Sequence, residues 1–213
     1  MPRQHDPLRK PQLLSEIIDY LLDKSLASVS FRTIAQALGV STYTLVYQFG
    51  TRAQLLSEIV AAVSTRSSGI EERLLKNPTS IDVYLGGLVE SWEWTLEPRN
   101  RQLQRLEFEA SLIEAVDPRD LSFSRNLYEG WHRMGINALQ SLGLSDEDAR
   151  LESRVIVDSF YGIQYDFVLN GDEEAATAAF FVVMARHRER IEQLISIAGQ
   201  ASQIAKEASQ IAG

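Results

Sequence analysis

The chain has 213 residues, 45% hydrophobic and 23% charged, which suits one large or two small domains with buried cores and excludes a disordered acidic tail. It contains no cysteine, so disulfides, Cys-ligated zinc, iron–sulfur clusters and thiol catalysis are excluded and a reducing compartment fits best. The net charge of −8 is uneven: residues 1–66 carry seven Lys and Arg against five Asp and Glu, net +2, whereas residues 67–213 carry net −10. The acidic body repels polyanions, so any nucleic acid must meet the basic head, over a small footprint. The N-terminus lacks an apolar signal-type stretch. The longest apolar run, Ala178–Ala185, falls far short of the roughly 20 residues that span a bilayer. A soluble, cytoplasmic protein with no membrane partner is expected.

Strand patterns are nearly absent and helical periodicity recurs almost everywhere, so the sequence predicts an all-α protein. Leu13, Leu14, Ile17, Ile18, Leu21 and Leu22 form the apolar face of a first helix over about 11–27. Two short helices follow at about 31–38 and 42–48, then a longer one whose opening Thr51-Arg52-Ala53-Gln54 has the spacing of a capping box. Breaks at Asn77-Pro78, Glu97-Pro98, Asp117-Pro118, Leu142-Gly143-Leu144 and Asn170-Gly171-Asp172 then delimit helices near 79–96, 100–116, 121–142, 145–169 and 173–198. Two domains are expected, 1–66 and 67–213.

The last two helices carry more apolar surface than one core contact requires. Ile156, Phe160, Ile163 and Phe167 form one stripe beside a second of Val157, Tyr161, Tyr165 and Val168, and an alanine run leads into Phe180, Phe181, Val182, Val183 and Met184. Either the last helix is central to its own subunit's core, or these two helices build a two-fold interface with Ile156, Phe160, Ile163, Ala176, Phe180, Val183 and Met184 at its centre. Beyond Leu194, Ile197, Ile204 and Ile211 recur every seven residues, which fits either a packed helical extension or a frayed end.

The segment 30–49 is the most specific. Two short helices joined by a tight turn cross steeply, which requires a small residue at their contact and a turn residue free to take positive φ. Ala35 and Gly39 meet those needs, Ser30 and Ser41 stand at N-cap positions, and Ile34, Leu38, Val40 and Leu45 form an apolar underside. This is the pattern of a helix-turn-helix. Such a motif reads DNA by putting the first turn of its second helix against base edges while flanking donors hold phosphates. Ser41, Thr42, Tyr43 and Thr44 occupy that cap and first turn. Arg32, Thr33 and Arg52 stand at neighbouring helix starts as candidate phosphate contacts, and Arg9 and Lys10 could reach as an arm.

On these residues the chain resembles the TetR family of bacterial transcriptional regulators. The match is carried by Ile34-Ala35, by Leu38-Gly39-Val40-Ser41, by Thr44-Leu45-Val46-Tyr47-Gln48-Phe49 and by Thr51-Arg52-Ala53-Gln54-Leu55-Leu56. Family members typically read Thr-Leu-Tyr-Tyr-His-Phe there; here Val46 and Gln48 differ, and Thr42 stands where Lys is common. The resemblance implies that Tyr47 donates to a phosphate, that a homodimer reads palindromic double-stranded DNA, and that a small-molecule effector enters the helical body and releases it. A repressor is expected rather than an activator. Phe108, Leu112, Trp131, Met134, Phe160, Tyr161 and Gln164 are candidates to contact an effector, with Glu109, His132 and Asn137 as further polar handles; an apolar effector is the reading. A helical dimer that binds a protein or a lipid-like molecule without recognising DNA is the alternative.

Enzymatic signatures do not emerge. His5, His132 and His187 lack metal-type spacing, and no phosphate loop, Gly-x-Ser-x-Gly elbow or His-Glu-x-x-His is present. The acidic clusters Asp146-Glu147-Asp148 and Asp172-Glu173-Glu174 sit at helix starts, where negative charge suits the helix dipole. No catalysis, metal or cofactor is expected.

Overall fold

The computed structural model describes residues 9–75, 78–116 and 123–211. Among them the secondary structure is nine α-helices and one 3-10 turn, Leu26–Ser28. The helices are α1 (Arg9–Leu21), α2 (Phe31–Leu38), α3 (Thr42–Phe49), α4 (Arg52–Leu75), α5 (Ile81–Leu96), α6 (Pro98–Val116), α7 (Phe123–Ser141), α8 (Asp146–Asn170) and α9 (Glu173–Ile211). The all-α architecture is as the sequence predicts. Helix α1 stops six residues earlier than expected, because the chain tightens there: Lys24 N–H bonds the Leu21 carbonyl at 3.1 Å and the Ser25 hydroxyl caps the 3-10 turn through Ala27 N–H. Helix α9 runs unbroken for 39 residues, about 58 Å at 1.5 Å per residue. Its described side chains beyond Ile195, Ile197 and Ile204 among them, are exposed.

The chain divides into two compact units, one from residues 1–66 and 97–127, the other from 67–96 and 128–213. The division differs from the expected boundary at residue 66 in that α6 belongs with the first unit. The physical reason is a set of bonds from α6 to the end of α1. Arg105 Nη2 donates to the carbonyls of Leu21 and Leu22 at 2.9 and 3.3 Å, and the Glu109 carboxylate accepts from Leu26 N–H at 2.6 Å and the Ser25 hydroxyl at 3.0 Å. Arg105 also pairs with Glu109, and Arg99 with Asp19. The first unit buries Leu13, Ile17, Ile18, Leu21, Leu26, Ile34, Leu45 and Leu106 completely; each such side chain contributes about 2 kcal/mol.

The second unit packs α5, α7, α8 and α9 around Trp92. Its indole stacks on Phe180 at 5.1 Å and 12°, while Phe160 and Phe167 present their edges and tilted faces at 6.2 and 5.9 Å. Buried polar groups are bonded across this core. Trp92 Nε1 donates to Thr177 Oγ1 at 3.2 Å, Gln164 Nε2 donates to Thr95 Oγ1 at 2.9 Å, and Thr95 passes its own proton to the Ser91 carbonyl. Tyr84 Oη lies 3.1 Å from His187 Nε2. Burial raises the Tyr84 pKa and lowers that of His187 to about 4. The phenol therefore donates, and the proton of the neutral imidazole rests on Nδ1, 3.7 Å from Glu152 Oε2; Arg190 Nε holds the other carboxylate oxygen at 3.1 Å.

This core takes up the expected interface residues to different degrees: Ile156, Ala176, Phe180 and Met184 are at most 5% exposed, whereas Phe160, Ile163 and Val183 are half-buried against them. The large apolar residues that these helices expose are Leu151, Val155, Tyr165 and Leu169 on α8 and Phe181, Val182, Ile197 and Ile204 on α9. Sequence periodicity finds both stripes of each helix but does not say which one turns inward.

Candidate nucleic-acid interface

The helix-turn-helix is assembled by caps. Ser30 begins α2: its hydroxyl accepts from Thr33 N–H at 3.2 Å, and Thr33 Oγ1 accepts from Ser30 N–H at 3.0 Å, a closed capping box. Gly39 ends α2 in the left-handed region at φ 64°, and its N–H and that of Val40 both return to the Ala35 carbonyl. Ser41 then begins α3 by accepting from Thr44 N–H at 3.0 Å. The buried sides, Ile34 and Ala35 on α2 and Leu45 and Phe49 on α3, fix the underside. Sequence reasoning passed over Gly50. At φ 69°, ψ −111° it turns the chain into α4, and a Cβ there would meet Gln54 Oε1 at 2.1 Å, the oxygen that accepts Thr51 N–H in the next capping box. A glycine directly before the Thr51–Gln54 box is the signal that could have found it.

The eight candidate DNA contacts separate into three groups. Thr42, Tyr43 and Tyr47 face solvent, the two tyrosines 77% and 65% exposed with their rings stacked at 6.3 Å. Arg32 is exposed at the start of α2. The other four are engaged within the chain. Ser41 and Thr44 lie 2.8 Å apart and share one hydroxyl proton between them, which leaves one for any other acceptor. Thr33 spends its proton on the Ser30 carbonyl at 2.8 Å. Arg52 donates from Nε to the Val29 carbonyl at 3.1 Å and from Nη2 to the Leu26 carbonyl at 2.6 Å, so it pins the 3-10 turn to α4. Lys10 is no loose arm either: it pairs with Glu58 at 2.7 Å and lies over the Phe49 ring.

The candidate effector contacts do not gather in one unit. Phe108 and Leu112 lie on α6 in the first, Leu112 63% exposed; Trp131, Met134, Phe160, Tyr161 and Gln164 lie in the second. Gln164 and Phe160 are occupied by the Trp92 core, and Tyr161 meets the Tyr128 ring edge-on at 4.9 Å. Of the polar handles, Glu109 is committed to Leu26 and Arg105. His132 and Asn137 do line an open cavity of about 540 Å3 between α7 and α8, together with Arg133, Arg150 and Asp146. His132 Nε2 is buried there without a hydrogen-bond partner among the described residues, and burial, reinforced by the Arg154 charge, lowers its pKa. Among the described residues no group of three or more His, Asp or Glu side chains could hold a metal ion, and no helix is long and apolar enough to cross a membrane.

No protein-family model matches the chain, and no curated protein matches its sequence. Solved structures do. A multidrug binding protein EbrR complexed with imidazole is 22% identical, with a TM-score of 0.66 over 88% of this chain and 93% of that one. A TetR transcriptional regulator from Legionella pneumophila is 15% identical, with a TM-score of 0.63 over 90% and 98%. NalD, the secondary repressor of the MexAB-OprM multidrug efflux pump in Pseudomonas aeruginosa, is 14% identical, with a TM-score of 0.62 over 84% and 93%. The likeness extends over most of each chain, and the fold is that of the TetR-type transcriptional regulators.

Proposed function

We propose that the protein is a TetR-family transcriptional regulator that binds a palindromic operator as a homodimer through α2 and α3. The observation that carries this reading is the exposed face of α3, Thr42, Tyr43 and Tyr47, held outward by two capped helix starts and a glycine turn. Arg32 is the cation beside it with the guanidinium open to a phosphate. The exposed apolar residues of α8 and α9 supply a face for a second copy, and a dimer would set two reading helices about 34–36 Å apart, one duplex turn. Repression relieved by a small apolar effector is the regulatory mode. The bonds from Arg105 and Glu109 to the end of α1 favour it, because a shift of α6 would be felt in the head. EbrR, described as a multidrug binding protein, and NalD, described as a repressor of a multidrug efflux pump, are in keeping with repression relieved by a small molecule.

The test is footprinting and mobility shift on the DNA flanking the protein's own coding region, across a range of salt. Protection of an inverted repeat is expected, and titration with hydrophobic compounds should release it. Uniform binding without sequence preference at every salt concentration would sink the proposal and favour a helical dimer directed at another partner.

A further inference from the structure

At 100° per residue, Thr42, Val46, Tyr43 and Tyr47 follow one another around an arc of about 140° on α3. All four are exposed, Val46 at 46%. None of them is charged and none carries an amide. Those are the groups that make paired hydrogen bonds to guanine, through Arg or Lys, and to adenine, through Asn or Gln. The amide of α3, Gln48, lies about 100° beyond Tyr47 around the helix and is half-buried.

This face presents three hydroxyls, each able to pair with a donor or an acceptor and so poor at telling bases apart, together with a threonine methyl, two valine methyls and two stacked tyrosine rings. Val46 lies between Thr42 and Tyr43 on this arc and is shorter than the tyrosine, so its methyls form a shallow apolar step beside the ring. The base edges of the major groove carry one apolar feature, the C5-methyl of thymine. We propose that α3 discriminates its DNA by thymine methyls, with Val46 at the centre of the contact and Thr42 and Tyr43 beside it. The inference rests on the reading that α2 and α3 enter a duplex. Charge supports it. Among the described head side chains, Lys10 pairs with Glu58, Lys24 with Asp23, and Arg52 is bonded to backbone carbonyls. That leaves Arg32 as the exposed cation beside α3, and because phosphate contacts carry no sequence information, discrimination falls to the face of α3 itself.

The experiment selects duplexes from a random pool with the full-length protein, then replaces each thymine of the selected sequence singly with 2′-deoxyuridine, which pairs identically and lacks only the methyl. A thymine shared by the selected sequences should lose about fourfold in affinity, the worth of one buried methyl group. In Val46→Ala, whose site is solvent-exposed and whose folding is checked by its melting curve, that same replacement should cost little, so the two changes are not additive. Selected sequences in which every thymine tolerates replacement within about twofold would overturn the methyl reading and leave duplex recognition standing. An undiminished loss in Val46→Ala would overturn the assignment to Val46. If no sequence is selected at all, duplex recognition by α2 and α3 falls, and this inference falls with it.

Discussion

Side-chain bonds between residues three apart set the starts of α2, α3 and α4, at Ser30–Thr33, Ser41–Thr44 and Thr51–Gln54. The second unit caps α5, α8 and α9 in the same way, at Ser80–Val83, Ser145–Asp148 and Asp172–Ala175, and adds buried bonds between residues 69 to 103 apart, at Thr95–Gln164, Trp92–Thr177 and Tyr84–His187. Short-range bonds close with little loss of chain entropy and form with the helix they cap, whereas distant ones exist only once the whole unit is folded. The starts of α2, α3 and α4 are thus shaped by their own caps, whereas the core of the second unit is tied together at long range.

Perturbing the body should therefore cost most. Trp92→Ala removes the side chain on which Phe160, Phe167 and Phe180 converge and should destabilise the protein by about 3–5 kcal/mol in urea unfolding. A loss near 1 kcal/mol would mean that the aromatic cluster is not the keystone of that unit. Acid comes next. His187 is held neutral, with a pKa of about 4 against an ordinary 6.5, so between those values the unfolded chain binds a proton that the folded chain refuses. Stability contributed by the neutral ring is complete above pH 6.5 and falls as pH drops towards 4, by about 3 kcal/mol at most. Unfolding measured across that window should show a steeper pH slope in the wild type than in His187→Gln; equal slopes would remove this residue from the acid response.

The head should yield less, and at single positions. Gly50→Ala forces a positive φ on a residue with a Cβ and drives it into Gln54, at a cost of about 1–3 kcal/mol; a neutral substitution would show that the Thr51–Gln54 box relaxes freely. The smallest effect on stability separates two arginines of similar sequence position. Arg32→Ala should leave the melting temperature unchanged while lowering the salt slope of DNA binding by about one unit. Arg52→Ala should instead lower stability by about 1–2 kcal/mol, since two carbonyls lose a charged donor. The reverse pattern would return Arg52 to the phosphate backbone.

The same contrast of reach decides what could be read from the sequence. Helices α2 and α3 are legible to within a residue, with Ser30, Gly39 and Ser41 in their expected roles, because cap and turn chemistry lies within a few positions of the backbone it serves. The exposed trio Thr42, Tyr43 and Tyr47 was legible for the same reason. Arg52 was not. It looks like any cation at a helix start, and its actual acceptors lie 23 and 26 residues earlier. Likewise Ile156 and Phe180 belong to helices apolar on more than one side, and only the Trp92 cluster determines that these residues face inward while Leu151, Tyr165 and Phe181 do not.

The 3-10 turn at Leu26–Ser28 is grasped from two sides, by Glu109 at the Leu26 amide and by Arg52 at the Leu26 and Val29 carbonyls. A hydrogen bond tolerates only a few tenths of an ångström, while one residue of helix rise is about 1.5 Å. A slide of α6 by a single residue would consequently break the Glu109 bond to the Leu26 amide outright rather than stretch it, while Arg52, on α4, would keep its hold on the two carbonyls.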